Sequence, residues 1–267
     1  MTEFSRHGEW LSLIDVSGPF LAEPVLKQVF PQGLEQTDPL TRKHVRQAYD
    51  EWRETVDSDD PQSAAIHDAW IDLVLKKALE LDEDDEGDIL KPESELPNSL
   101  SVSFPEHDVT LRPDFAIVDA HNDNQPLMFV AVYAPDTELS APVHGGKWAA
   151  SPAERMVELC RARDVRLGLV TNGERWMLVD APIGGVTSFA SWYARLWAQE
   201  PITLQAFVNL LGIRRFFVDD SERLPALLDE SLKLQDEVTD ALGEQVRRAV
   251  EVLVQALDRA DVDRNRE

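Results

Sequence analysis

The sequence predicts an α/β (α+β) protein: a mixed β-sheet flanked by helices, with a helical N-terminal region and a long C-terminal helical extension. Three observations predict it. The β-rich segments "DVTLRPDFAIVDA" (108–120) and "PLMFVAVYA" (126–134) flank the turn-rich "HNDNQ". A helix starting near Ser151 separates them from two more strand-like segments, "VRLGLVT" and "RWMLVDAP", joined across Asn172-Gly173, a strong hairpin signal. Beyond residue 227, apolar residues recur three and four apart almost to the last residue. Helices and strands in this succession call for a sheet covered by helices.

The elements divide into a helical N-terminal region (1–99), a sheet-bearing core (100–200) and a helical extension or linker (201–267). In "TRKHVRQAYDEWRETV", Val45, Tyr49, Trp52 and Val56 fall at helical spacing, with Thr41 as the expected cap. Ile66, Trp70, Leu73 and Ala78 form a second helical stripe. It ends in the acidic run Asp82 to Asp88, read as a solvated loop because its acids and glycine miss the fixed positions of a calcium loop. At the helix near Ser151, Ser151 is the N-cap, Pro152 the first helical residue and Glu154 the partner that completes a capping box. "SFASWYARLWAQEPITLQAFVNLLGI" reads as aromatic and helical. In the tail, Leu242, Val246, Ala249, Leu253, Ala256 and Ala260 share one stripe, leaving Glu244, Arg247, Glu251 and Arg259 on other faces. Such a helix either folds back on the body or leads to a following domain.

Charge narrows the classes of function. Against 26 basic residues stand 50 acidic ones, a formal net of -24, which repels a polyanion unless the basic residues gather on one face. Cys160 is the only cysteine, which excludes an internal disulfide and a cysteine zinc cage and fits a reducing cytosol. Neither a membrane-length apolar run nor a signal pattern is present, so the expected location is cytoplasmic, with no membrane partner. The histidines are scattered without zinc-enzyme spacing and are expected at the surface. "HGGK" (144–147) lacks the remaining parts of a phosphate loop, and Ser151 and Ser191 lack the flanking glycines of a hydrolase nucleophile. Trp52, Trp70, Trp192 and Trp197 lie in amphipathic segments and are expected in the core.

Pro113-Asp114 heads one strand, and the next strand carries Ala131 and Tyr133. Nucleases of the PD-(D/E)xK type place Glu and Lys at those two positions. There, paired carboxylates hold Mg²⁺ and the Lys orients the attacking water. Alanine offers no ligand, and a phenol with an ordinary pKa of about 10 is neutral at pH 7. "LRPDFAIVD", "VRLGLVTNGERWMLVDAP" and "ASWYARLW" resemble the N-terminal region of restriction-modification proteins in which a nuclease-like domain precedes an adenine methyltransferase. Type IIG-like enzymes and the methyltransferase of the DISARM phage-defence system belong to that group. The related domain of type I restriction subunits also has a Thr-Asn-Gly hairpin, as at Thr171-Asn172-Gly173-Glu174-Arg175-Trp176 here. The resemblance implies a degenerate PD-(D/E)xK domain of restriction-endonuclease-like fold. The sequence has neither an Asn-Pro-Pro-aromatic motif nor a glycine-rich S-adenosylmethionine turn, so this chain alone is not expected to methylate DNA or to be an enzyme.

Three readings follow. In the first, a non-cleaving nuclease-like domain serves DNA or partner-protein interaction, with Asp114 as a remnant metal position and Arg112, Lys147 and Arg155 as DNA contacts. Its partners are DNA, other defence-system subunits or both, including a methyltransferase domain or subunit, and it needs no cofactor. In the second, the acidity itself is the function, in a protein-docking or DNA-mimic scaffold. In the third, Glu154 or Glu158 replaces the missing carboxylate, with Lys147 or Arg155 in the Lys role, in an active Mg²⁺ nuclease. Clustering of Arg112, Lys147, Arg155, Arg161 and Arg163 near Asp114 favours the first reading over the second.

Overall fold

A computed structural model of the chain describes residues 6–58, 61–82, 89–143 and 148–264. Most of the acidic run and all of "HGGK", including Lys147, therefore lie outside the described residues. The chain begins with α1 (Arg6–Leu11), β1 (Asp15–Ser17), α2 (Glu23–Val29), α3 (Pro39–Ser58) and α4 (Ser63–Leu73), which runs on into a π-turn at Val74–Ala78. Then come β2 (Leu90–Pro92), β3 (Val102–Phe104), β4 (Val109–Leu111), β5 (Phe115–Asp119), β6 (Gln125–Val132) and α5 (Pro152–Ala162). The rest is β7 (Leu167–Thr171), β8 (Arg175–Asp180), β9 (Ser188–Tyr193), α6 (Pro201–Leu211) and α7 (Leu224–Arg264). Among the described residues no helix is long and apolar enough to cross a membrane.

A mixed seven-stranded sheet runs β1-β9-β8-β7-β6-β5-β2. Its pairs are antiparallel except β6 with β7, which are parallel because α5 carries the chain back across one face. The edge strands β1 and β2 are only three residues each, which limits the unpaired backbone that either edge offers. β7 is buried along its whole length, as a central strand covered on both faces must be. One face packs on α5 through Met156, Val157 and Cys160 against Ala116, Phe129 and Val170. On the other face a larger apolar cluster joins Trp52, Trp70, Phe207 and Leu227 from the helices to Ile117, Val130, Leu169 and Trp192 of the sheet.

Several local expectations hold. Ser151 Oγ accepts the Glu154 N–H and the Glu154 carboxylate accepts the Ser151 N–H, which forms the capping box. Trp52, Trp70, Trp192 and Trp197 are all buried. Others are corrected. Ser188–Tyr193 is a strand, not helix: Phe189 to Tyr193 pair with β8 and Phe189 to Ser191 with β1, and the helix starts only at Pro201. The cap of α3 is Asp38, whose Oδ2 accepts the Leu40 and Thr41 N–H groups, and Pro39 begins the helix. The segment 108–120 is broken at Arg112 to Asp114, so β4 pairs with β3 in a separate hairpin while β5 joins the main sheet. The tail is one continuous helix of 41 residues, about 60 Å long.

The turn between β7 and β8 fastens the helical layer to the sheet. Only Gly173 takes a positive φ (+87°). Asn172 instead caps the turn, its Oδ1 accepting the Glu174 and Arg175 N–H groups, so this is not the two-residue turn expected at Asn-Gly. The Gly173 carbonyl accepts the indole N–H of Trp70 at 2.8 Å and that of Trp176 at 3.2 Å. A Cβ at Gly173 would lie 2.7 Å from Trp52 Cζ2 and 3.0 Å from His67 Cε1. Gly173→Ala is therefore expected to cost about 2–4 kcal/mol, combining left-handed backbone strain with overpacking. Gly184→Ala, also at positive φ (+71°) but with open space around it, should cost only about 1 kcal/mol. Urea unfolding of the two variants separates the packing cost from the backbone cost.

Candidate functional site

Asp114 stands just ahead of β5, and its backbone N–H donates to Val130 O of β6, so the two strands of the expected hairpin do pair. Phe115 is opposite Val130, which sets Asp114 beside Ala131. The carboxylate is already engaged: Oδ2 accepts the Val132 N–H at 2.7 Å. Burial pushes the Asp114 pKa up, the Val132 N–H pulls it down, and the carboxylates of Glu93 and Asp68 push it up further. Among the described residues, both charged side chains acting on it are anionic. A cleft of about 530 Å³ opens here, lined by Asp68, Asp72 and Lys76 of the α4 segment, Glu93, and Asp114 with Val132. Lys76, the one cation among the described residues that line it, is held by Asp72 at 2.9 Å.

Ala131 and Tyr133 pack as partly buried residues against the α5-side cluster. The Tyr133 N–H donates to Thr171 O, continuing the parallel ladder past the end of β6. Burial raises the Tyr133 pKa, which keeps the phenol neutral at pH 7, with Arg155 lowering it and Asp114 raising it. On α5, Glu154 is spent in the capping box and Glu158 is exposed. Among the described residues no group of three or more His, Cys, Asp or Glu is arranged to hold a metal ion.

The arginines expected near this site act largely as clips on the backbone. Arg112 donates to Glu93 O and Leu96 O, each at 2.8 Å, and to Asn98 Oδ1. Arg155 donates to Trp148 O and lies over the Trp148 ring at 5.5 Å. Arg161 holds Gly185 O and Thr187 Oγ1, and Arg163 holds Ser101 O. Arg155 alone of these adjoins the Asp114–Tyr133 pair closely enough to act on its charge, through Tyr133.

His67 is the residue that sequence reasoning missed. It is 6% exposed rather than on the surface, and so is His7 at 3%. The Trp52 indole N–H donates to His67 Nδ1 at 3.1 Å; because an indole only donates, Nδ1 is unprotonated and Nε2–H donates to Tyr133 O at 3.0 Å. His67 thus ties α3, through α4, to Tyr133 at the end of β6. Its only sequence signal is the helical phase it shares with Trp70 and Ile71, the buried residues of α4.

Comparison with family models, with curated proteins and with solved structures finds no match to this chain.

Burial lowers the His67 pKa from its ordinary 6.5, against smaller raising effects of Tyr133 O and Asp68. The unfolded chain therefore binds the proton more readily than the folded one. The stabilisation from neutral His67 is fully present above pH 6.5 and falls away as the pH drops below it. Unfolding free energies measured from pH 7.5 to 5 should decline over that window, and His67→Gln should flatten the decline; an unchanged slope in the variant would refute the assignment.

Proposed function

We propose that this chain is a non-hydrolytic, nuclease-like module of a restriction-modification or phage-defence DNA methyltransferase assembly, acting through protein contact while another domain or subunit does the chemistry. One observation carries the reading: Asp114 sits beside the strand where a PD-(D/E)xK nuclease needs Glu and Lys, and that strand presents Ala131 and Tyr133. The mixed sheet, with a helical layer on one face and α5 on the other, supports a restriction-endonuclease-like fold. An Asp114 carboxylate occupied by Val132 N–H, with Glu93 and Asp68 adding negative charge and no second ligand from β6, suits a structural remnant better than a working metal site.

A protein partner is favoured over DNA. Arg112, Arg161 and Arg163 are turned to backbone carbonyls, and the net charge of -24 opposes an unassisted polyanion. The same facts favour a second reading, an acidic scaffold that docks a basic surface or mimics DNA.

Supercoiled plasmid incubated with the protein and Mg²⁺ or Mn²⁺ tests the first reading. The expected result is no nicking above a protein-free control. Metal-dependent nicking that disappears in Asp114→Ala would replace it with an active nuclease.

A further inference from the structure

A second cleft, remote in sequence from Asp114, lies between the N-terminal half of α3 and the segment 194–204. It measures about 280 Å³, and its walls include Val45, Tyr49, Ala194, Trp197, Pro201 and Leu204. Arg42, Lys43 and Arg46 rim it from one stretch of α3. In a chain carrying -24, this is an unusual gathering of positive charge. Among the described residues Arg42 and Lys43 have no ion pair, and Arg46 has only a 3.8 Å approach to Asp50. Acids on the surrounding elements are mostly engaged: Asp38 caps α3, and Glu174 takes the Tyr49 hydroxyl at 2.7 Å and Arg195 at 3.0 Å. Among the described residues, exposed Glu200 has no such partner for its side chain. Arg42 and Trp197, which line the cleft, also carry buried donors, Nε–H and the indole N–H, that lack acceptors among the described residues.

We infer that this cleft binds an anion carrying a single flat apolar ring system, of the size and kind of a nucleoside monophosphate. The aromatic and aliphatic walls suit a planar ring, and the arginine forks with Lys43 suit a phosphate. The volume holds one ring system and excludes a folded peptide segment. Charge narrows the choice further. One phosphate gains from the three local cations, whereas a long duplex would also meet the repulsion of the whole acidic surface. This inference stands independently of the nuclease-like reading, because no residue of the Asp114 site lines the cleft. The shared chemistry has two sources: a free mononucleotide, or the terminal nucleotide of a single strand.

Titration calorimetry on the full chain tests it with deoxyadenosine 5′-monophosphate as the probe. Saturable binding is expected, at least about tenfold weaker in Arg42→Gln/Lys43→Gln and for deoxyadenosine or inorganic phosphate alone. Ala198→Trp, at an exposed residue of the rim, should block the cleft with little change in thermal unfolding. A 5′-phosphorylated octadeoxyadenylate distinguishes the sources: tighter binding than the mononucleotide supports a strand end, weaker binding a free nucleotide. No saturable binding of the monophosphate at millimolar concentration, or binding retained in both variants, overturns the inference.

Discussion

The structure depends on one acceptor, the carbonyl of Gly173. It lies at the tip of the β7–β8 turn and receives an indole N–H from each layer, Trp70 of α4 and Trp176 of β8. A backbone carbonyl with two lone pairs can satisfy two buried donors, and each indole left without an acceptor would cost about 1–3 kcal/mol. Gly173 reaches this position because it has no Cβ to strike Trp52 and His67. From there the aromatic contacts run on without a break: Trp52 stacks near Trp70, Trp70 meets Trp197, and Trp197 and Trp192 both meet Phe207 of α6. The helices before and after the sheet thus meet beside this turn, and they also touch directly where the Ala22 N–H donates to Ser231 Oγ and the Gln235 amide donates to Phe20 O.

The same turn shapes the candidate site. Thr171, its first flank, accepts the Tyr133 N–H, and His67, packed on Gly173, donates to the Tyr133 carbonyl. The end of β6 is thus held from two sides. Its side chains include a methyl group, packed against the α5-side cluster, and a partly buried phenol whose pKa is raised. Asp114 closes the arrangement by accepting the Val132 N–H. What the fold supplies around Asp114 is packing and backbone hydrogen bonding. The acidity is similarly partitioned: arginines that would offset it near Asp114 are drawn into clips on the segment 93–101 and on loops, whereas Arg42, Lys43 and Arg46 stay together on α3.

Features set by neighbours in sequence were legible. The capping box at Ser151, the strand pair on either side of Asn172-Gly173 and the Val45–Trp52 stripe each follow from residues within about two turns of one another. The Pro113-Asp114 strand and its partner were legible for the same reason, since a short turn joins them. Features set by distant contacts were not. β9 is buried on most of its length and so shows no clean alternation; its identity as a strand comes from β8 and from β1, more than 170 residues away in sequence. His67 is buried because Trp52 and Tyr133, 15 and 66 residues away, need an acceptor and a donor there. At α3, Asp38 and Thr41 are both capping residues, and Pro39, which begins the helix, decides between them.

The central claim is that Asp114 belongs to the packing of the β5–β6 strand ends and assembles no divalent ion. Calorimetric titration of Mn²⁺ into the protein at pH 7.5, alongside Asp114→Asn, tests it most directly. The account predicts that any Mn²⁺ uptake is weak and identical in the two proteins. A micromolar site present in the native chain and lost in Asp114→Asn would contradict it.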